Sequence, residues 1–256
     1  MKKLFKEAIA LICIVTVCIS FTLVNAVPAN GANLPPSKIT IAIDPGHQQK
    51  ADLSKERIDP DNKKIGSKYK VTGGCTSVYN KMPEYKYTLI IAKKLKKQLE
   101  AKGYNVVLTR NKDKVNISNQ QRAKIINNSG AKVCIRLHCD SYGKTAHGVS
   151  TIYKPTPNSV YSKGDAARSK VLAKYLLDSQ CKETGFAKRK VSARNDLTTQ
   201  NFSKIPVALI EMGFFSNYKE AKKMNSETYR NKISTGITKG LEKYLNRYYN
   251  TNENKL

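Results

Sequence analysis

Short apolar runs that alternate with amphipathic helical segments constrain the fold of this chain more than any other feature. The apolar runs occupy positions 39–43, 105–109, 133–138, 148–153 and 207–210. Segments with helical periodicity occupy 83–102, 118–127, 166–181 and 227–248, and the second of these opens on Ser118-x-x-Gln121, a capping box. This alternation predicts an α/β fold, a single domain with a central mixed, mostly parallel sheet and helices on both faces.

Two segments carry neither kind of periodicity. Residues 48–79 are rich in charged side chains and include three glycines, so we predict an irregular surface loop there. A loop of this length within a compact domain is usually functional. The basic segment that follows residue 181 is predicted to be a loop as well.

The amino-terminal residues predict export. Lys2, Lys3 and Lys6 precede an apolar run over 8–24 that ends in Val-Asn-Ala, the pattern of a secretory signal peptide cleaved after Ala26. An apolar run of about 17 residues is also at the short limit for a membrane span, so an uncleaved anchor is the alternative. We therefore expect an exported protein, extracellular or associated with the cell wall. The prediction divides the chain into a signal peptide (1–26), a short linker (27–37), one domain (38–248) and a polar tail (249–256).

The net charge of the chain is strongly positive, with 46 Lys and Arg residues against 19 Asp and Glu residues, or +27. The predicted signal carries three lysines and one glutamate, so +25 remains after cleavage. Such a surface attracts polyanions. Export argues against nucleic acid as the partner and favours anionic wall polymers or lipid headgroups. A lysine-rich composition that only maintains solubility is the alternative.

Two of the three histidines follow predicted strands at their carboxyl ends. His47 comes directly after IAIDPG, and His138 ends VCIRLH. In open α/β sheets, ligands bind at this edge. A catalytic zinc ion takes three protein ligands, and Glu84, in the first turn of the next helix, is the candidate for the third. The helix dipole alone also favours a glutamate at that position. The third histidine, His147, is predicted to lie on the surface.

Glu211 is a further candidate because it lies in an apolar run, between Val-Ala-Leu-Ile and Met-Gly-Phe-Phe. An ionised carboxylate is costly there unless it is paired or bound to something. Burial raises the pKa of a carboxyl group towards neutrality, which suits a general acid and base. A salt-bridged glutamate at a strand end is the alternative.

These motifs together resemble the zinc-dependent N-acetylmuramoyl-L-alanine amidases of the bacterial cell wall, a phosphorylase/hydrolase-like fold. The resemblance covers about 38–248 and includes DPGHQ, the long helix PEYKYTLIIAKKLKKQLEAKG with the LTR that follows it, IRLHCD, RNDLTTQNFSKIP and IPVALIEMGFFSN. It implies hydrolysis of the amide between the lactyl group of N-acetylmuramic acid and the L-alanine of the stem peptide. By the same resemblance, His47, Glu84 and His138 hold one zinc ion per chain and Glu211 is the catalytic carboxylate.

The resemblance also indicates substrate contacts in the loop before Glu211. Arg194, Asp196 and Asn201 lie where peptide-contacting residues of the family tend to occur, and a guanidinium matches a stem-peptide carboxylate geometrically. An exposed loop arginine in a basic protein is the alternative. The chain departs from the family where Cys139 follows His138. Adjacent residues on a strand point to opposite faces, so we do not predict Cys139 as a ligand.

Four cysteines remain after the predicted cleavage, namely Cys75, Cys134, Cys139 and Cys181. They show no zinc-ribbon spacing, and a domain of this size does not require disulfides. We treat them as small hydrophobic residues.

Three questions stay open at the level of sequence. We predict no separate wall-binding module, so the basic surface or a localising or activating protein would place the enzyme on peptidoglycan. Wall turnover, cell separation and remodelling of spore cortex all fit the resemblance. The alternatives to the amidase are a zinc peptidase acting on the stem peptide and a non-catalytic wall-binding protein of the same fold.

Overall fold

The structure is a computed structural model that describes residues 34–249 of the chain. The predicted signal peptide (1–26), most of the predicted linker and the predicted tail from residue 250 onwards lie outside the described residues.

Strands and helices alternate through the described residues. The strands are β1 (Thr40–Pro45), β2 (Asp52–Arg57), β3 (Ser67–Val71), β4 (Asn105–Leu108), β5 (Val133–Asp140), β6 (Val149–Tyr153), β7 (Lys188–Ala193) and β8 (Val207–Phe214). The α-helices are α1 (Glu84–Glu100), α2 (Asn119–Asn128), α3 (Lys163–Thr184), α4 (Thr198–Asn201), α5 (Tyr218–Asn225) and α6 (Glu227–Tyr249), and short 3-10 helices occur at Pro36–Lys38 and Lys63–Ile65.

Six strands form one mixed sheet in the order β4-β1-β5-β8-β6-β7. The first four are mutually parallel, β6 runs antiparallel to β8, and β7 is parallel to β6. The predicted mixed, mostly parallel sheet is therefore confirmed. The carboxyl ends of β1, β5 and β8 lie side by side at one edge.

Helices cover both faces of this sheet. On one face, β1 and β5 pack through residues such as Ile41 and Ile135 against α1, α3 and α6. On the other face, Ala42 and Cys134 pack against Ile126 of α2 in a smaller cluster. Burial on both faces explains why these strands appear in the sequence as continuous apolar runs.

Helix α6 approaches α3 closely because two of its residues are glycines. A Cβ added at Gly240 would lie 2.6 Å from the Tyr175 carbonyl oxygen, and one at Gly236 would lie 2.7 Å from the Gln180 Cα. Both neighbours are backbone atoms of α3. The two helices therefore pack backbone to backbone at these points.

Several elements differ from the sequence-based expectation. The predicted irregular loop 48–79 contains an antiparallel hairpin, β2 with β3, and the predicted basic loop contains the edge strand β7. The residues of both are mostly exposed and polar, so they lack the apolar period that marks a buried strand. Helix α3 begins at Lys163, earlier than predicted, because Ser162 caps it in a capping box with Asp165. The short helices α4 and α5 were not predicted.

No helix among the described residues is long and apolar enough to cross a membrane. The four cysteines at 75, 134, 139 and 181 are all free thiols.

The close contact between α6 and α3 generates a stability prediction. Gly240→Ala should lower the free energy of unfolding by about 1–2 kcal/mol, because overpacking against backbone outweighs the better helix propensity of alanine, which is about 1 kcal/mol. Gly164→Ala is the matched control, since its Cβ would meet only Ser162 Oγ at 3.6 Å. Urea unfolding followed by circular dichroism compares the two, and equal effects at both glycines would contradict the packing argument.

Candidate metal centre and catalytic site

A buried carboxylate beneath the end of β1 organises the site. Asp44 accepts hydrogen bonds from Arg122 Nη1 at 2.7 Å, Arg136 Nε at 2.7 Å and the Thr109 hydroxyl at 2.5 Å, and its side chain is fully buried. Burial alone would raise the pKa of Asp44, but the two arginines and the hydroxyl hold that pKa far below its usual range. The ion pairs therefore persist throughout the neutral range.

Arg122 and a further buried arginine, Arg110, hold the turn that follows Asp44. Arg122 donates to the carbonyl oxygens of Pro45 and His47 at 2.8 Å each. Arg110 donates to Pro45 O at 3.1 Å and to Gly46 O at 3.0 Å. His47 has φ 60°, a left-handed conformation that costs a non-glycine residue free energy and persists only where the surroundings impose it. These bonds to consecutive carbonyls supply that restraint.

Three side chains converge at the carboxyl ends of β1 and β5. His47 Nε2 lies 3.2 Å from Glu84 Oε1, and His138 Nδ1 lies 3.1 Å from the same oxygen. The two imidazole rings are nearly perpendicular, with centroids 4.8 Å apart. One candidate ligand atom from each residue lies within 4.8 Å of the others. The three residues predicted as metal ligands are thus brought together.

Backbone amides fix the Glu84 carboxylate. Pro83 precedes the helix in an extended conformation, and Glu84 is its first residue. Its Oε2 accepts from Cys75 N at 2.9 Å, and its Oε1 accepts from Cys139 N at 3.0 Å. Burial opposes ionisation, yet the bonds to His138 and His47 hold the pKa of Glu84 well below its ordinary value. The carboxylate is therefore charged and already oriented.

The donor set fits a zinc ion. His47 Nδ1 lies 2.9 Å from the Thr72 carbonyl oxygen, which fixes the tautomer and leaves Nε2 directed at the cluster. Burial lowers the pKa of His138 to about 4, so its imidazole is neutral, as a metal ligand must be. Nδ1 is the His138 nitrogen that faces Glu84, and the other ring nitrogen, Nε2, is buried without a hydrogen-bond partner. Two histidines and one carboxylate are a donor set of catalytic zinc.

Two glycines let their own backbone lie in close contact with the side chains of the candidate ligands. A Cβ at Gly46 would lie 2.4 Å from the His138 ring, and one at Gly74 would lie 2.7 Å from Glu84 Oε2. Any side chain at either position would displace a ligand. The lack of space for a side chain explains why glycine occupies position 46, in the DPGHQ motif, and position 74, three residues after β3.

Glu211 lies next to the candidate metal-binding group of His47, Glu84 and His138. It is in register with His138 across the parallel pair of β5 and β8, so both side chains lie on the same face of the sheet on neighbouring strands. Its Oε2 is buried without a hydrogen-bond partner. Burial, with the nearby charges of Glu84 and Asp140, raises the pKa of Glu211 well above its ordinary value. A carboxyl group of this kind can accept and return a proton near neutral pH.

A cleft of about 510 Å³ opens onto the two histidines. Its walls come from the β2–β3 hairpin, the start of α2, the inner residues of β5 and β8, and the loop that leads into α4. The lining residues include His47, Lys55, Lys68, Tyr69, Asn119, Arg136, His138, Asp196, Leu197 and Thr198. The walls are therefore rich in charge.

Of the three residues predicted to contact substrate, two lie at the surface and one is buried. Arg194 and Asp196 are on the surface in a two-pronged ion pair, with bonds of 2.8 and 2.7 Å. Lys68 of β3 also donates to the Asp196 carboxylate, at 2.5 Å. Asn201 is fully buried and donates to the carbonyl oxygens of Ile58 and Asn195, so its amide fixes the loop. Contact with substrate stays a prediction for all three.

Sequence reasoning did not identify the residues that support the centre, namely Asp44, Arg110, Arg122 and Arg136. The sequence did contain a signal for Asp44 and Arg136, because each is a charged residue in an otherwise apolar strand. A buried charge requires a partner of opposite charge, so these two residues could have been predicted to pair. Cys139 lies in the hydrophobic core, outside the metal-ligand group, and His147 is exposed, both as expected.

Comparisons with known proteins agree with this geometry. The family model described as N-acetylmuramoyl-L-alanine amidase matches residues 41–243. A germination-specific N-acetylmuramoyl-L-alanine amidase of Bacillus subtilis is 27% identical over 228 residues, covering 83% of this chain and 82% of that protein. A probable amidase of Haemophilus influenzae, AmiB, is 31% identical over 243 residues, covering 79% of this chain but only 51% of the relative, so the chain spans about half its length.

A solved structure shows the same fold. The CwlD amidase of Clostridioides difficile, in complex with the GerS lipoprotein, superposes with a TM-score of 0.62 at 26% identity, covering 81% of this chain and 98% of that chain.

The buried ion network generates a second prediction. Asp44→Asn should lower the free energy of unfolding by about 3–5 kcal/mol, because it leaves two buried arginines without a counter-charge. Since the folded pKa of Asp44 is depressed, its contribution is complete above its unfolded pKa of about 3.9, begins to decrease below that value and is lost fully only at the much lower folded pKa. The free energy of unfolding measured from pH 7 to pH 3 tests both statements.

Asp52→Asn is the matched control, because Asp52 forms an ion pair with Lys70 at the surface, at 3.9 Å. It should change stability by less than about 0.5 kcal/mol. If Asp44→Asn were no more destabilising than this control, the network would not support the turn.

Proposed function

The chain belongs to the N-acetylmuramoyl-L-alanine amidase family, and from this premise we propose that it is a zinc-dependent hydrolase that acts on peptidoglycan. The bond cut is the amide between the lactyl group of N-acetylmuramic acid and the L-alanine of the stem peptide. The observation that carries the proposal is that one ligand atom each of His47, Glu84 and His138 lie within 4.8 Å of one another, beside Glu211, whose Oε2 is buried without a hydrogen-bond partner.

His47, Glu84 and His138 would hold the metal. A bound zinc ion supplies Lewis acidity, polarising the scissile carbonyl and lowering the pKa of a bound water towards about 7. Thr72 keeps the His47 ring in one tautomer, and the amides of Cys75 and Cys139 hold Glu84, so the ligands need no rearrangement.

Glu211 would act as general base and then as general acid. Its raised pKa makes its carboxylate a stronger base than an exposed glutamate, so it can take a proton from the attacking water. The same carboxyl group then delivers the proton to the nitrogen of the departing alanine. The amine cannot leave as an anion, so this return is required.

The charged cleft would hold the stem peptide. Lys68 and Arg194 both donate to the Asp196 carboxylate at the mouth of the cleft. A carboxylate of the peptide has the same geometry, so it could replace Asp196 as the partner of these two cations. Asn201 would keep the loop in place from below through its bonds to Ile58 and Asn195.

We also propose that the amino-terminal signal directs export and that the basic surface helps to hold the enzyme on anionic wall polymers. The CwlD structure contains a lipoprotein partner, which supports a localising or activating protein for this chain as well. The germination-specific relative favours spore-cortex peptidoglycan over vegetative wall as the substrate.

Metal removal tests the first part of the proposal. Treatment of the exported domain with a chelator should abolish release of stem peptides from purified peptidoglycan, and added zinc should restore it. Mass analysis of the products should show free lactyl groups and peptides that begin with alanine. Cuts within the stem peptide would support a zinc peptidase instead, and digestion unaffected by metal removal would refute the zinc mechanism.

Glu211→Gln tests the second part. The amide cannot accept a proton, so kcat should fall about 100- to 10,000-fold while the zinc content measured by mass spectrometry is unchanged. Glu227→Gln is the control, because Glu227 is an exposed partner of Lys94 at the start of α6 and its loss should leave kcat unchanged. Equal activity of the two variants would exclude Glu211 as the proton-transfer group.

A further inference from the structure

The substrate of the proposed reaction has two unlike halves, and the inference below rests on that proposed function. The amine half is a peptide that carries free carboxylates. The acyl half is a lactyl ether on a neutral, N-acetylated sugar within a glycan strand. A site that holds the scissile bond at the metal cluster therefore needs two dissimilar surfaces, one on each flank.

The charged cleft occupies one flank. It lies over the sheet face that carries Arg136, His138 and Leu209, and the hairpin forms its opposite wall. Its lining residues come from neither the segment 75–84 nor the segments that follow β5 and β8. Lysine and arginine side chains suit the carboxylates of a peptide, which assigns this flank to the amine half.

Three loop segments occupy the other flank. Residues 77–82 are separated from Glu84 by Pro83 alone, residues 141–148 begin three positions after His138, and residues 215–217 follow the strand that carries Glu211. The segments are joined to one another, since Val78 N donates to Phe215 O at 3.0 Å and Tyr142 N donates to Ser216 Oγ at 3.0 Å. They form a continuous rim that starts at the metal cluster.

Exposed aromatic side chains are concentrated on this rim. Among the described residues, six large hydrophobic side chains are exposed, and four of them lie on these segments or at the start of α5: Val78 (41%), Tyr79 (39%), Tyr142 (79%) and Tyr218 (58%). The other two, Leu53 and Tyr69, belong to the hairpin. The rings of Tyr79 and Tyr218 meet edge to face with centroids 5.6 Å apart. Exposed rings grouped in this way suit a binding surface.

The chemistry of these residues matches a sugar. A tyrosine ring covers the C–H face of a pyranose while its hydroxyl bonds to polar groups at the ring edge. Lys81 lies in the first of these segments and Lys219 follows Tyr218 in α5, and both side chains can donate to hydroxyl and acetamido oxygens. The rim begins within a few residues of Glu84 and His138, so it lies where sugars next to the muramic acid at the scissile bond would reach.

We propose that Tyr79, Tyr142 and Tyr218, the tyrosine rim, bind the glycan strand of peptidoglycan beside the muramic acid whose lactyl amide is cut. The charged cleft then binds the peptide half of the substrate and the tyrosine rim binds the glycan half. Together they set the orientation of the scissile amide relative to Glu211.

Binding of a peptide-free glycan tests the proposal independently of catalysis. Titration calorimetry with a tetramer of N-acetylglucosamine should show binding to the wild-type protein and at least tenfold weaker binding to a Tyr142→Ser/Tyr218→Ser variant, since each ring contributes about threefold to tenfold. Leu53→Ser is the matched control because Leu53 is as exposed as Tyr218, 58% each, and lies on the hairpin. Equal binding by all three proteins, or no binding by the wild type, would overturn the proposal.

Kinetics on two substrates provide the second arm. The double variant should lose about tenfold or more in kcat/KM on long glycan strands and keep the wild-type value on a single N-acetylmuramoyl peptide. Equal losses on both substrates, or on neither, would refute the assignment to the glycan and leave a protein partner as the occupant of the rim. If the wild type cut neither substrate, the proposed function itself would fail, whatever the glycan titration showed.

Discussion

The buried ion network around Asp44 is the interaction on which the rest of the site depends. A strand that is apolar on both faces ends in a carboxylate, and this charge is tolerated only because Arg122 and Arg136 neutralise it. Arg122 also binds the carbonyl oxygens on either side of Gly46. One set of contacts therefore offsets the cost of a buried charge and imposes the left-handed conformation that directs His47 at Glu84.

The candidate metal-binding group lies at the sheet edge where β1, β5 and β8 end, and each strand positions one residue of the site. β1 leads to His47, β5 carries His138, and β8 carries Glu211 in register with it. Glu84 enters from α1 on the other side and is held by amides of two different segments. At this edge the two histidines open onto the charged cleft.

Prediction from sequence succeeded where a local pattern decides the structure. The buried strands and long helices carry an apolar period, and Ser118 with Gln121 forms the capping box that their spacing predicts. It failed for β2, β3 and β7, which are polar strands with exposed residues. Their pairing depends on neighbouring strands, and no period in their own residues reports it.

The sequence alone determined the fold class, the two histidines at carboxyl ends of strands, and a glutamate in an apolar run whose pKa burial would raise. Only the tertiary structure decided what surrounds them. It brought Asp44 to Arg122 and Arg136, 78 and 92 positions away, buried Asn201 beneath its loop, and placed exposed tyrosines from three segments on one rim. The physical reason is that local periodicity sets the face on which a side chain lies, whereas strand order and register set its neighbours.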